Sequence, residues 1–467
     1  MKLESKLSQA LLLITAASAL LLDAVDGTIV SLALPILAQD FGLDVGTISW
    51  VSITYMLVIA GTILIFGKIA GNGHLKKIFM AGILLFTIGS LLCAASFSFE
   101  LLVASRVIQG LGASMLAACV PMLCITYLPE SILGMALGGV MGMGSVGVIL
   151  GPALGGFILS VASWHWIFLI NIPIGVLILL LAAKTIPPAE KAAGERFDFI
   201  GAVMVFLSMG LGIFCIERFP NTGFHPLLCV LFLISAALFV LFVRRQLKIS
   251  YPLTNPRVFS SWRTTFVVLA FLLIQVICAV TAYLLPFFFQ LSMGYDSLKS
   301  GMLLLIPALV GGILSIPFGR LSDMYGRRGF VCVSTGILIV LTTMLAFVQP
   351  EFGVWYLICA LILDGLCFGI AGGAASSRII DLMPEGEETT GSTILMILMY
   401  FGAVVGTALA AGIFTALTSG IGNGTISFAA LPAEMFLFGF HGVMIVSVIL
   451  SVLSFVFSFT VREKKTG

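Results

Sequence analysis

Fourteen apolar stretches, each long enough to cross a bilayer, succeed one another along this chain and are interrupted by ionisable residues at only a few points. A helix rises about 1.5 Å per residue against a hydrocarbon core of about 30 Å, so one crossing takes roughly 17 to 25 apolar residues. The first stretch runs from Leu11 to Leu32, the fourth from Leu101 to Leu123, the fifth from Ile132 to Leu159 and the twelfth from Val354 to Ala375. Only 9% of the residues are charged and 60% are hydrophobic, too little polarity to cover a water-soluble fold. The expected fold class is an all-α integral membrane protein of 14 transmembrane helices, and the rare charges inside the spans are the places to look for function.

An even number of crossings puts both termini on one side. Of the 23 Lys and Arg residues, 20 lie at the termini and in the even-numbered loops, so the positive-inside rule makes both termini cytoplasmic and the chain a multi-pass protein of the cell membrane. The apolar run at the N-terminus continues past Asp23 and Asp26 to Leu34, longer than a cleavable signal core, and reads as a retained first span. A net charge of +2 gives no case for nucleic-acid binding. The nine cysteines lie singly, without zinc spacing, and the four histidines form no set; no metal and no cofactor are expected. No G-x-x-x-x-G-K-[ST] run is present, so nothing in the chain looks able to spend ATP directly.

An internal repeat sets the organisation. GKIAGNGHLKK, from Gly67, follows the second span, and GRLSDMYGRR, from Gly319, follows the tenth. A shift of eight spans implies a six-helix bundle over residues 1–184, two inserted helices with their loops over 185–263, and a second six-helix bundle over 264–467. Repeated halves around a midplane site are the usual build of secondary transporters. In the second loop Gly319 and Gly326 permit a tight turn, while Asp323, Arg327 and Arg328 are placed to pair and lock two helix ends together.

Four features inside the spans carry chemistry. Asp23 and Asp26 lie one turn apart on one face of the first span, Asp26 about 22 Å in. Arg106 and Gln109 share a face of the fourth span in RVIQG, and an arginine in hydrocarbon calls for a cavity or a carboxylate; the first and fourth spans allow a pair between Arg106 and Asp26 at similar depth. The fifth span holds GVILGPALGG, where Gly147, Gly151 and Gly155 repeat every four residues as a strip for close helix contact, with Gly156 beside it and Pro152 removing a backbone hydrogen bond. Asp364 sits about 15 Å into the twelfth span, near the bilayer midplane. It suits a proton carrier or a helix–helix hydrogen bond. Gln275, Tyr283, Gln290 and Tyr400 are weaker candidates for lining a cavity.

GRLSDMYGRR resembles the loop signature of the major facilitator superfamily, RVIQG resembles its proton-transfer motif, and GxxxGPxxGG resembles the antiporter signature of its drug exporters. Asp26 to Pro35 is similar to the D-x-T-[IV]-V-N-x-A-L-P run of the fourteen-helix drug:proton antiporter family. So are WVSITYML, WIFLINIPIG, FDFIG and PFFFQLSMGYDSLKSG in their places, so that the resemblance covers nearly the whole chain. It implies a major facilitator fold and a proton-driven exporter of amphipathic, often cationic compounds, working as a monomer in the bilayer by alternating access and catalysing no covalent reaction. Three departures stand out: in the first span Ser31 replaces the usual asparagine and Asp23 is an extra acid, in the first-half loop Gly71 and Asn72 replace the usual Asp-Arg pair, and PESILGMALG after the fourth span lacks the arginines commonly found there. Export of a metabolite, lipid or peptide by the same fold is the alternative, and a non-transporting membrane receptor is the alternative from another class.

Overall fold

The computed structural model describes residues 5–187, 198–222, 225–249, 251–253, 256–257, 261–381, 388–419 and 427–461. Its long helices are α1 (Lys6–Asp40), α2 (Trp50–Ile69), α3 (Leu75–Ala94), α4 (Phe99–Tyr127), α5 (Glu130–Val161), α6 (Asn171–Thr185) and α7 (Phe199–Thr222). They continue as α8 (Pro226–Lys248), α9 (Trp262–Phe287), α10 (Ser297–Tyr325), α11 (Arg327–Ala346), α12 (Gly353–Asp381), α13 (Glu388–Ser419) and α14 (Ala433–Thr460). Among the described residues thirteen helical runs are long and apolar enough to cross a membrane. One of them, Val45–Ala94, is 50 residues long and takes in both the second and the third expected crossings. The fourteen expected stretches therefore all fall on helices.

Exposure separates helices that pack within the protein from those that meet lipid. In α4, 61% of the apolar stretch is buried, but in α8 only 17% is, although α8 is the more hydrophobic. An apolar surface left uncovered at that scale belongs against acyl chains.

By internal contacts the chain forms two compact units. The first comprises Met1–Ala33, Trp50–Gly210 and Leu238–Leu253; the second comprises Leu34–Ser49, Leu211–Ala237 and Thr254–Gly467. In the first unit α3 and α4 approach so closely at Gly89 that a Cβ there would come within 2.6 Å of the Gln109 backbone nitrogen. The glycine is what lets side chains of the two helices meet. The second unit is centred on aromatic packing: Phe288 stacks on Phe440 at 5.0 Å and Phe414 lies 5.2 Å from Phe436, with all four rings fully buried.

The two repeat loops both break the helix at a glycine with positive φ, Gly73 (φ 86°) between α2 and α3 and Gly326 (φ 96°) between α10 and α11. Each then sends a basic residue to the end of another helix of its own unit. Lys76 Nζ donates to the carbonyl of Ala183 at 3.0 Å and to that of Ile186, at the C-terminus of α6. Arg328 Nη2 donates to the Phe459 carbonyl at the C-terminus of α14, with its guanidinium 5.1 Å from the Phe459 ring centre. Both residues lie nine positions after the first glycine of their repeat. Cations at helix C-termini satisfy orphan carbonyls and meet the negative end of the dipole. Asp323 falls on α10, and its side chain, with the expected pairing to Arg327 and Arg328, lies outside the described residues.

Asp198 of FDFIG caps α7: its Oδ1 accepts the Gly201 N–H at 3.0 Å and Arg245 Nε at 2.7 Å, and its Oδ2 accepts Gln246 Nε2 at 2.7 Å. Burial alone would raise this carboxyl, but the Gly201 N–H, Arg245 and Gln246 together hold it below the usual aspartate value. The inserted helices are thus tied at their basic ends by a capped ion pair.

Candidate functional site

The two acids on one face of α1 and the Arg106–Gln109 pair on one face of α4 meet inside the first unit. Asp26 is fully buried, and its Oδ2 lies 2.7 Å from Arg106 Nη1. Its Oδ1 accepts from Gln109 Nε2 at 2.8 Å and from Asn171 Nδ2, at the start of α6, at 2.7 Å. Gln109 turns its own Oε1 to Arg106 Nη1 at 2.7 Å and shares Nε2 with Ser90 Oγ of α3 at 2.8 Å. Arg106, only 1% exposed, also donates Nε to the Val51 carbonyl of α2 at 3.1 Å. One helical turn on from Val51, the Tyr55 ring lies under the guanidinium, 3.9 Å from centroid to Cζ. The Tyr55 hydroxyl donates to Asp23 Oδ1 at 2.5 Å. Five helices, α1, α2, α3, α4 and α6, thus contribute to one buried polar cluster.

A charge pair removed from water is held only by strong geometry and by satisfying its remaining lone pairs and protons. Here a bond to the guanidinium and two amide N–H donors converge on one carboxylate, which meets that condition.

The glycine strip of α5 packs on the part of α1 that carries the acids. A Cβ on Gly147 would fall 2.7 Å from Ala24 Cβ and 2.8 Å from the Leu21 carbonyl. On Gly151 it would fall 1.9 Å from Thr28 Oγ1, and on Gly155 2.9 Å from Ile29 Cγ1. Pro152 and Gly156 are buried in the same helix. The spacing read as a seam is a seam, and what it grips is α1.

Asp364 belongs to the second unit and is remote in kind from this cluster. It borders a crevice lined by Thr281, Leu285, Phe289, Leu341, Leu345 and Leu361 among others, and makes no hydrogen bond or ion pair among the described residues. Tyr283 is buried and donates its hydroxyl to the Val45 carbonyl. Gln275 packs on α13, its Cβ 2.6 Å from where a Gly402 Cβ would stand, while Gln290 and Tyr400 are partly buried. Gly319 lies in the last turns of α10 with open space around it. Among the described residues no His, Cys, Asp and Glu side chains gather in a set fit for a metal ion.

Tyr55, Ser90 and Asn171 were not legible as site residues. Tyr55 and Asn171 stand inside WVSITYML and WIFLINIPIG, and the available signal was that each is a polar side chain isolated in an apolar span.

The sequence profile of the Major Facilitator Superfamily matches residues 16–407. A protein of Pectobacterium atrosepticum named for multidrug resistance, MdtD, is 30% identical over 403 residues, covering 84% of this chain and 85% of its own. The riboflavin transporter RibZ of Clostridioides difficile is 27% identical and covers 84% and 85%; the methylenomycin A resistance protein of Bacillus subtilis is 27% identical and covers 85% and 86%. Among solved structures, a bacterial homologue of the human lysosomal transporter Spinster superposes with a TM-score of 0.70 at 15% identity, over 99% of this chain and 100% of the other. With the fold, the apolar helices and the family profile in agreement over most of its length, the chain belongs to the Major Facilitator Superfamily of membrane transporters and is not an enzyme.

Proposed function

We propose that the protein is a proton-coupled efflux transporter that exports amphipathic, cationic compounds by alternating access, with both termini in the cytoplasm, acting as a monomer built of bundles 1–184 and 264–467 with 185–263 as a spacer. The observation that carries the reading is the buried Asp26–Arg106–Gln109–Asn171 network on the helix that α5 grips through its glycine strip. Ionisable groups inside a bilayer are expensive and mark ion and proton routes. An acid site that a proton and a cationic substrate occupy in turn ties the two fluxes together, and Arg106 sets the electrostatics of that site. Asp364, beside its apolar crevice, is a second acid on the route. The repeat loops, through Gly319, Asp323, Gly326, Arg327 and Arg328, bias the gating equilibrium.

The name of the riboflavin transporter among the relatives favours one second reading, a dedicated transporter of a metabolite by the same fold. Purified protein in liposomes with an internal pH dye, an imposed proton gradient and a panel of cationic and neutral amphiphiles separates the two. Proton movement that depends on a cationic amphiphile, and that is absent in folded Asp26→Asn protein, supports antiport of cations. Proton movement with riboflavin alone, or substrate flux with no proton movement, overturns it.

A further inference from the structure

The second unit repeats the frame of the buried cluster without its charges. Where α4 has Arg106, Gln109 and Gly110, α12 has Leu361, Asp364 and Gly365 at the same spacing. The packing beneath them agrees. A Cβ on Gly110 would fall 3.0 Å from the Tyr55 carbonyl and 3.1 Å from Val58 Cβ of α2; on Gly365 it would fall 2.6 Å from both the Pro307 carbonyl and Val310 Cβ of α10. Tyr55 and Val58 precede Gly67 by 12 and 9 residues, and Pro307 and Val310 precede Gly319 by 12 and 9. Asp364 therefore holds in the second unit the place that Gln109 holds in the first, with leucine in the place of Arg106 and proline in that of Tyr55.

The crevice beside Asp364 is walled by Leu285, Phe289, Leu341, Leu345 and Leu361, and leaves no room for a water molecule. The other polar side chain in that wall is Thr281 of α9. Its hydroxyl already donates to the Cys278 carbonyl at 2.9 Å, so it has lone pairs to offer and no hydrogen. The titratable groups near Asp364 are two thiols, Cys278 of α9 and Cys367 of α12, the second with its Sγ 3.2 Å from Ser334 Oγ of α11. Among the described residues no charged side chain of α9, α10 or α11 faces it. A carboxylate so placed has no cation, no N–H donor and no water on its crevice side. A divalent metal ion takes six or more oxygen ligands, and the crevice has two oxygen-bearing side chains; the charged end of a substrate needs space, and there is none. A proton needs neither.

We propose that Asp364 is a proton-binding site of the second unit, separate from the Asp26 cluster, and that it takes a proton and no other cation. The proton adds from the medium, one O–H bond forms, and the side chain passes from one negative charge to none. The Thr281 oxygen, with its own hydrogen committed to the backbone, is able to accept that O–H. The place of this proton in a transport cycle rests on the antiport reading; its binding does not.

Infrared difference spectra of the purified protein in lipid, recorded without substrate from acid to alkaline buffer, read carboxyl protonation directly. Asp364→Asn is expected to lose one carboxylic C=O component that folded Asp26→Asn retains. Sodium replacing N-methylglucamine at constant ionic strength is expected to leave the midpoint of that component in place. A spectrum unchanged in Asp364→Asn, loss of the same component in folded Asp26→Asn, or a midpoint that sodium drives to lower pH overturns the proposal. If Asp364→Asn does not fold, Asp364→Glu decides: it keeps the acid and is expected to shift the frequency of the component, and a spectrum that overlays the wild type overturns the assignment. Wild-type liposomes with no substrate-driven proton movement sink the antiport reading and leave this site standing; a titration with no Asp364 component does the reverse.

Discussion

Asp26 and Asp364 are each an acid in the middle of an apolar helix, one in the first unit and one in the second, and they are housed in opposite ways. Asp26 is fully buried under three nitrogen-bearing side chains drawn from α4 and α6. Asp364 borders a crevice of leucine, phenylalanine and alanine side chains with Thr281, and has no hydrogen bond or ion pair among the described residues. The first carboxylate is part of what holds five helices together; the second is bonded to nothing among the described residues. A charge in a membrane helix therefore says nothing by itself about its work, and the partners that the tertiary fold supplies decide.

The comparison breaks most directly at the ion pair. Arg106→Ala leaves Asp26 buried without its cation, and removal of one partner of such a pair costs about 3–5 kcal/mol. Asp364→Asn breaks no bond among the described residues and is expected to cost less than about 1 kcal/mol. Thermal unfolding in detergent micelles orders the two. Equal losses would mean that the first-unit network is not a structural element, and the contrast between the halves would fall.

Glycines sharpen it with opposite signs. Gly151→Ala puts a methyl group 1.9 Å from Thr28 Oγ1 and 3.2 Å from the Ile29 backbone nitrogen, so α5 must back away from α1. Overpacking of this kind costs about 1–3 kcal/mol. Gly319→Ala meets nothing within 4 Å in the helical end of α10, and replacing a helical glycine there gains about 0.5–1 kcal/mol. Melting temperatures of the two variants should move in opposite directions; a rise in both would show that the seam has slack.

The fold was legible because bilayer-length apolar runs and a repeated loop are local signals, readable by counting. The pairing of Arg106 with Asp26 was legible as an allowance of depth, since both distances follow from helix rise. Tyr55, Ser90 and Asn171 were not, because a single polar residue in an apolar span is equally consistent with lipid, cavity or core. What selects among these is rotation about the helix axis against neighbours, which comes from packing such as the α3–α4 approach at Gly89. The capping role of Lys76 and Arg328 was hidden for a related reason: their acceptors are backbone carbonyls more than a hundred residues away, and carbonyls leave no mark in a sequence.

Those two caps give the finest test of how alike the halves are. Lys76 and Arg328 occupy equivalent positions of the repeat, and each meets carbonyls at the C-terminus of another helix of its own unit, α6 or α14. Lysine offers a flexible point charge to two carbonyls, whereas arginine adds a planar group over the Phe459 ring. A cation at a helix C-terminus contributes about 0.3–1 kcal/mol, and an exposed cation–π contact about 0.5–1 kcal/mol more. Lys76→Ala is therefore expected to lower stability slightly and Arg328→Ala by up to twice as much. Amide hydrogen exchange at the last turns of α6 and α14 reads each effect where it arises. Faster exchange in α6 for the first variant and in α14 for the second keeps the equivalence, and faster exchange in neither would reduce the caps to surface contacts with no hold on the helix ends.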